Sequence, residues 1–207
     1  MQLTTSLLAV LPILSTLVSG HGLITKPWPR TPGAKSLANC GPTVTNNIKG
    51  DNTSHVEGLP EAASTDAKFK ASDCNLWLCR GLALEDSAIS SVPAYTPGQK
   101  VSISVKITIK HHGTANVSVV STKTNKIIGD ELLYWDKYAD ERLSSLPANN
   151  TQFDVVIPTT LGSQCATAGD CVLQWWWYGT AARQTYESCV DFTVAPSMPM
   201  KEKRFDA

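Results

Sequence analysis

The chain has 207 residues, with 18 Lys+Arg against 18 Asp+Glu, a formal net charge of zero at pH 7 and 42% hydrophobic residues. That balance excludes the strongly basic field that binding to nucleic acid or an anionic membrane requires, so the expected partner is neutral. Residues 1–20 read as a secretory signal peptide: Leu7 to Val18 is a nearly unbroken apolar run, and small Val18 and Gly20 stand three and one residues before the expected cut. The run is too short to span a bilayer and has no charged stop after it. Its removal leaves roughly 187 residues, enough for one domain with a real core. The mature chain then begins His21-Gly22-Leu23-Ile24, and its first residue offers an α-amine and an imidazole together, a ready chelate for a transition metal. The plainer alternative is a histidine that merely lies close to the new terminus.

From His21 to about Asp51 the chain is rich in Pro, Gly and Asn, and apart from a first strand at Gly22–Thr25 it reads as an ordered loop. Residues 52–95 are mixed, with short helices expected around Glu61–Phe69 and Leu82–Ile89. After the turn at Thr96-Pro97-Gly98, Val101, Ile103, Val105, Ile107 and Ile109 alternate with Ser, Ser, Lys and Thr, the period of a strand with one buried face. Further strands are predicted at Ala115–Ser121, Lys126–Tyr134, Gln152–Ile157, Cys171–Tyr178 and Ser188–Val194. Short strands at fairly regular spacing, without long helices between them, indicate an all-β chain, a β-sandwich of immunoglobulin/fibronectin-like type with long loops and short helices. The domain organisation is thus 1–20 signal peptide, 21–195 a single domain, and 196–207 a disordered, charged tail that carries no glycolipid-anchor signal.

Four histidines are present: His21, His55, His111 and His112. The pair His111-His112 ends the best strand, where a ring can point at solvent or at a metal. Parity puts His111 on the apolar face and His112 on the polar one, but the turn at Gly113 weakens parity there. His55 lies in a polar loop and reads as a solvated side chain. Near the C-terminus stands Gln184-Thr185-Tyr186-Glu187-Ser188-Cys189, whose tyrosine is either structural, with a bonded hydroxyl, or part of a site. On a strand, Trp175-Trp176-Trp177-Tyr178 alternates faces, so at least one face is core packing. Trp28, between two prolines, is the candidate for stacking on a ring of a neutral partner. Six cysteines in a secreted chain point to three disulfides, and sequons at Asn52, Asn116 and Asn149 offer glycosylation sites.

A signal peptide followed by His21-Gly22, a histidine at a strand end, and Gln184-x-Tyr186-x-x-Cys189 together resemble a lytic polysaccharide monooxygenase. Cys74 to Gly81, Ala115 to Val119 and Gln184 to Phe192 resemble more specifically the fungal cellulose-oxidising enzymes of auxiliary activity family sixteen. The resemblance covers nearly all of the mature domain. It implies one copper ion per chain, held by the amine and ring of His21 and by a second imidazole at His111, with His112 as runner-up. Tyr186 is implied on the axial side and Gln184 as a donor to the bound oxygen species. Three nitrogens in a flat arrangement suit Cu(II), and because the amine must shed its proton to bind, copper affinity should fall in acid.

The cysteines are expected to pair as two local bridges, Cys74–Cys79 and Cys165–Cys171. A long Cys40–Cys189 link would then tie the N-terminal loop to the last strand, although six cysteines permit 15 pairings. The reading is a secreted, extracellular, monomeric copper monooxygenase that uses O₂ or H₂O₂ with an external electron donor. Its implied partner is an insoluble polysaccharide, cellulose with C1 oxidation first and chitin or hemicellulose as alternatives. The rival from another class is a copper-binding or glycan-binding protein on the same fold that performs no oxidation. The Gln184–Tyr186 pair favours the enzyme.

Overall fold

In the computed structural model the described residues are 21–87 and 91–194, so the expected signal peptide and the 196–207 tail lie outside them. Strand β1 (His21–Lys26) joins β3 (Lys100–Ile109) and β7 (Gln152–Val156) in a three-stranded antiparallel sheet ordered β1-β3-β7. A larger sheet runs β5 (Lys126–Ile127), β4 (Gly113–Ser121), β8 (Cys171–Gly179) and β9 (Gln184–Asp191), with β6 (Leu133–Tyr138) also paired to β4. Strands β2 (Ala94–Tyr95) and β10 (Thr193–Val194) form a short parallel pair. Val101, Ile103 and Val105 from the smaller sheet and Val117, Val119, Leu173, Trp175 and Trp177 from the larger share one buried core. The sandwich therefore follows from the alternation of Val and Ile with Ser and Lys, which gives each sheet one apolar face to bury.

The expected loop over 21–51 contains instead the longest helix, α1 (Ala34–Gly50). Gly41, at φ 75°, breaks it into two runs, and Pro42 opens the second. Cys40, Val44 and Ile48, at helical spacing, form the buried stripe, packed against Val56, Leu59 and Ala63. Both runs lack caps of their own. Asp86 receives the N–H groups of Gly33, Lys35 and Ser36 at 3.1, 2.7 and 2.7 Å, and Asp66 receives that of Thr43 at 2.7 Å. Distant carboxylates thus replace the missing local N-caps. Other boundaries also move. The first predicted short helix is α2 (Gly58–Ser64), and the second shrinks to a single 3₁₀ turn at Leu84–Asp86, with 88–90 outside the described residues. The predicted strand 126–134 divides into β5 and β6, and the last predicted strand begins four residues earlier, at Gln184.

The disulfides correct two of the three expected pairs. The bridges are Cys40–Cys74, Cys79–Cys189 and Cys165–Cys171, so neither Cys74–Cys79 nor Cys40–Cys189 forms. The cause is the turn at 79–81, where Cys79, Arg80 and Gly81 all take left-handed φ, at 54°, 57° and 75°. A side chain at Gly81 would strike Cys74 Sγ at 2.5 Å and Cys40 Sγ at 2.8 Å, so the Cys40–Cys74 bridge lies directly on that glycine. The turn sends Cys74 back to α1 and Cys79 forward to β9.

Candidate metal centre

His21 opens β1 opposite Ile109, and Gly22 pairs with Ile107, leaving Thr108 as an extra residue on β3. This bulge ends the strict alternation. Ile109 is accordingly exposed, and parity no longer predicts the facing of His111 or His112. The glycine after His21 has a steric cause. A Cβ on Gly22 would lie 3.1 Å from Trp175 Cη2, 3.3 Å from the Lys106 carbonyl oxygen and 3.5 Å from Trp177 Cζ3. A Cβ there would be a tight fit, accommodated only if the Trp175 ring or the Lys106 backbone gave way slightly.

The His21 ring is held from the 51–57 segment, since its Nε2 lies 2.7 Å from Asp51 Oδ2. Asp51 is itself fixed by the Thr53 N–H at 2.9 Å and the Thr53 hydroxyl at 2.5 Å, both donating to Oδ1. Burial alone would raise the Asp51 carboxyl, but the Thr53 hydrogen bonds and the neighbouring His21 hold it below its ordinary value. While Nε2 faces the carboxylate, Nδ1 is the ring nitrogen next to the carbon that joins the ring to the chain, and so the one nearer the α-nitrogen along the covalent path. Covalent geometry therefore lets a metal bound at both close a six-membered chelate. The same segment is tied to β9: the Val56 N–H donates to the Thr185 carbonyl at 2.9 Å, and the Thr185 N–H donates to Glu57 Oε2 at 2.8 Å.

β9 delivers the expected Gln-x-Tyr pair. Tyr186 is fully buried, stacks on Trp177 with ring centres 4.4 Å apart, and donates its hydroxyl to Gln184 Oε1 at 2.7 Å. The acceptor of the Gln184 amide is thus used, and its remaining hydrogen-bonding group is the NH₂ donor. His55, read from sequence as a solvated loop residue, instead presents its ring edge-on to Tyr186 at 6.4 Å, with Nδ1 3.3 Å from Glu57 Oε2.

Gly113, Gly179 and Gln184 occupy one rung across β4, β8 and β9, at the end of the larger sheet. A Cβ on Gly113 would fall 1.9 Å from the Tyr178 carbonyl oxygen, so the strands meet at this rung only through glycine. His111, just before it, packs its Cβ over Gly179 and is buried, and its Nε2 has no hydrogen-bond partner among the described residues. His112 turns toward an acidic turn: its N–H donates to Glu141 Oε2, and its Nδ1 lies 3.9 Å from Asp140 Oδ2. Arg142 already engages Asp140 at 2.6 Å. Each of the two has a buried ring nitrogen without a hydrogen-bond partner among the described residues, His111 at Nε2 and His112 at Nδ1, and they differ in that His111 is the more buried and packs on Gly179 while His112 lies against the acidic turn.

Trp28 is not beside His21. It follows the far end of β1, with five steps of extended strand, about 16 Å, between His21 and Lys26. It is 83% exposed, and the chain just beyond it is pinned by Arg30, whose guanidinium grips Asp191 at 2.7 and 2.8 Å. Asp51, His55 and Glu57 were missed in the sequence because a polar Asp-Asn-Thr-Ser-His stretch reads as a solvated turn. Only the ladder contact with β9 turns it inward. No cluster of three or more His, Cys, Asp or Glu side chains poised for a metal occurs among the described residues.

The family profile described as "Lytic polysaccharide mono-oxygenase, cellulose-degrading" matches residues 21–192. No curated protein matches. Solved structures that resemble the fold include an AA10 lytic polysaccharide monooxygenase from Photorhabdus luminescens, 15% identical, with a TM-score of 0.46 over 86% of this chain and 100% of that one. A chitin binding domain from Burkholderia pseudomallei is 11% identical, with a TM-score of 0.44 over 85% of this chain and 100% of that one. A cellulose-active lytic polysaccharide monooxygenase in complex with copper is 13% identical, with a TM-score of 0.40 over 85% of this chain and 100% of that one. At these scores the structures add nothing beyond the profile, whose match begins at His21 and ends one residue after Asp191. On that match, which spans both sheets and every residue of the rim described above, the chain belongs to the lytic polysaccharide mono-oxygenase family.

Proposed function

We propose that the mature chain, beginning at His21, is a secreted copper-dependent monooxygenase that oxidises a glycosidic carbon of a polysaccharide. The observation that carries this is the buried, unpartnered Nε2 of His111, at the sheet end where Tyr186 and Gln184 also stand. His21 supplies the α-amine and Nδ1, with Asp51 orienting its ring from Nε2. His111 supplies the third nitrogen, and His112 is kept aside by the 140–142 turn. Copper at this point supplies one-electron chemistry that activates O₂ or H₂O₂ for removal of hydrogen from a glycosidic C–H bond. Tyr186, clamped between Trp177 and Gln184, would exclude water from the buried side of the centre, while the Gln184 NH₂ would serve as a donor toward the co-substrate.

Cellulose with C1 oxidation is the proposed substrate and outcome, and the assignment to auxiliary activity family sixteen rests on the three segments named above. Extracellular location follows from the expected cut after Gly20, and no described helix is long and apolar enough to cross a membrane. A monomer fed by an external electron donor completes the reading. Asn52 and Asn149 are exposed, as glycan attachment requires.

The test is mass spectrometry of soluble products from cellulose and from chitin, using copper-loaded mature protein and a reductant, beside His111→Ala and His112→Ala. Oxidised oligosaccharides from the parent and from His112→Ala, but not from His111→Ala, are expected. Tight copper binding without oxidised products from either polymer would replace this reading with a copper-handling or glycan-binding role.

A further inference from the structure

The aromatic run 175–178 divides between the two faces of the larger sheet. Trp175 and Trp177 fill the core, while Trp176 and Tyr178 stand on the outer face with their rings stacked at 6.0 Å and 17°. In the strand ladder Asn116 and Glu187 flank Trp176 on either side, and Gln174 follows two residues along the same face. The turn between the two long-range disulfides brings in Trp77, which is 46% exposed and whose carbonyl accepts the Asn125 side-chain amide at 3.0 Å. These residues bound a groove of about 300 Å³ on the side of the sheet away from Tyr186.

Its chemistry is that of a sugar site. Two indoles, one stiffened by Tyr178 behind it, offer flat faces for the C–H face of a pyranose. Below them lie polar groups with hydrogen bonds to give. Gln174 is 8% exposed and Glu187 4% exposed, and Glu187 Oε2 has no hydrogen-bond partner among the described residues. Burial pushes the Glu187 carboxyl up to about 7, against the lowering effect of the Arg80 and Cys79 N–H groups and the Arg80 charge. Near neutral pH it is therefore able both to donate to and to accept from a hydroxyl. Arg80 spends its terminal nitrogens elsewhere, on the carbonyls of Ser54 and Asn52 at 3.1 and 2.7 Å. No basic side chain lines the groove, which favours a neutral occupant over an anionic one.

We propose that this groove is a second glycan-docking site, independent of copper, in which Trp77 and Trp176 hold a neutral pyranose unit of a polysaccharide chain while Gln174, Asn116 and Glu187 bond its hydroxyls. It lies on the opposite face of the sheet from the metal centre and does not depend on the oxidative reading. It requires Asn116, although part of a sequon, to carry no sugar of its own.

The test is a titration of metal-free mature protein, isotopically labelled at its indole nitrogens, with the hexasaccharides of cellulose, chitin and xylan at millimolar concentration, followed by nuclear magnetic resonance. The Trp77 and Trp176 indole resonances are expected to shift with at least one hexasaccharide. Trp77→Ala, which leaves the backbone carbonyl that Asn125 uses in place, and Trp176→Ala should each weaken that binding about tenfold, a stacking-sized loss. His111→Ala should leave the affinity unchanged. No indole shift with any of the three sugars, parent-like affinity in both tryptophan variants, or loss of binding in His111→Ala overturns the proposal. A glycan found on Asn116 by peptide mass spectrometry of protein secreted from a eukaryotic host also overturns it, because the groove would then hold the chain's own sugar.

Discussion

Replacing Asp51 by Asn isolates the contact that aims the first histidine. In the parent, Asp51 Oδ2 lies 2.7 Å from His21 Nε2, and Oδ1 is occupied by the N–H and hydroxyl of Thr53. Asn keeps the shape and one carbonyl acceptor for Thr53 but removes the negative charge that holds the ring with its proton on Nε2. A hydrogen bond to a charged group contributes about 1.5–3 kcal/mol when sheltered. Here the two side chains are 19% and 41% exposed, so screening brings the figure toward 1–1.5 kcal/mol, or about five- to tenfold in Cu(II) affinity. That is close to the smaller losses known for outer carboxylates behind metal-bound imidazoles. Competitive calorimetric titration of Cu(II) into mature parent and Asp51→Asn protein measures the effect, with thermal melts of both metal-free forms as the folding control. Copper affinity within twofold of the parent, in a variant that melts normally, would refute the idea that Asp51 orients a ligand.

Adding one alanine before His21 converts its amine into an amide nitrogen, whose lone pair is delocalised into the carbonyl. The extended protein should melt as the mature form does, bind copper far more weakly in calorimetry and release no oxidised oligosaccharides; equal activity would sink the amine-chelate mechanism. Glu187→Gln should flatten the dependence of stability on pH. The raised Glu187 carboxyl favours its protonated form in the fold, so its contribution is complete below its ordinary value of 4.5 and declines as pH rises through about 7. The decline amounts to roughly 3 kcal/mol at most, and thermal melts of parent and variant from pH 4.5 to 8 would show it. Replacing Cys79 and Cys189 together by Ser opens a link between residues 110 apart and should destabilise by about 5 kcal/mol in the chain-entropy picture, read by denaturant unfolding. Non-reducing peptide mapping of the parent should recover Cys79 joined to Cys189, not to Cys74.

The sandwich was legible because its signal is local. Val101, Ile103 and Val105 alternate with polar residues, and a strand with one wet face needs nothing more to announce itself. The helix at 34–50 was hidden for the opposite reason. Its buried spacing at Cys40, Val44 and Ile48 was present, but Gly41 and Pro42 interrupt it and its caps come from Asp66 and Asp86, far along the chain. At the rim, the sequence alone marked His21-Gly22 and the histidine pair as residues able to hold a metal, while the roles of Gln184 and Tyr186 came only from the family resemblance.

What it left undecided was every relation set by closure between distant segments. The bulge at Thr108 cancels the parity argument for His111 and His112, whose different surroundings, Gly179 for one and the acidic turn at 140–142 for the other, are set by packing. Asp51 and His55 became inward-facing only because their segment bonds to β9. The disulfide pairing followed from three left-handed residues at 79–81. Alternation and cut-site residues are properties of a few neighbours, whereas a ligand set, a cap or a bridge depends on which distant backbone comes within about 3 Å, and only the packed core decides that.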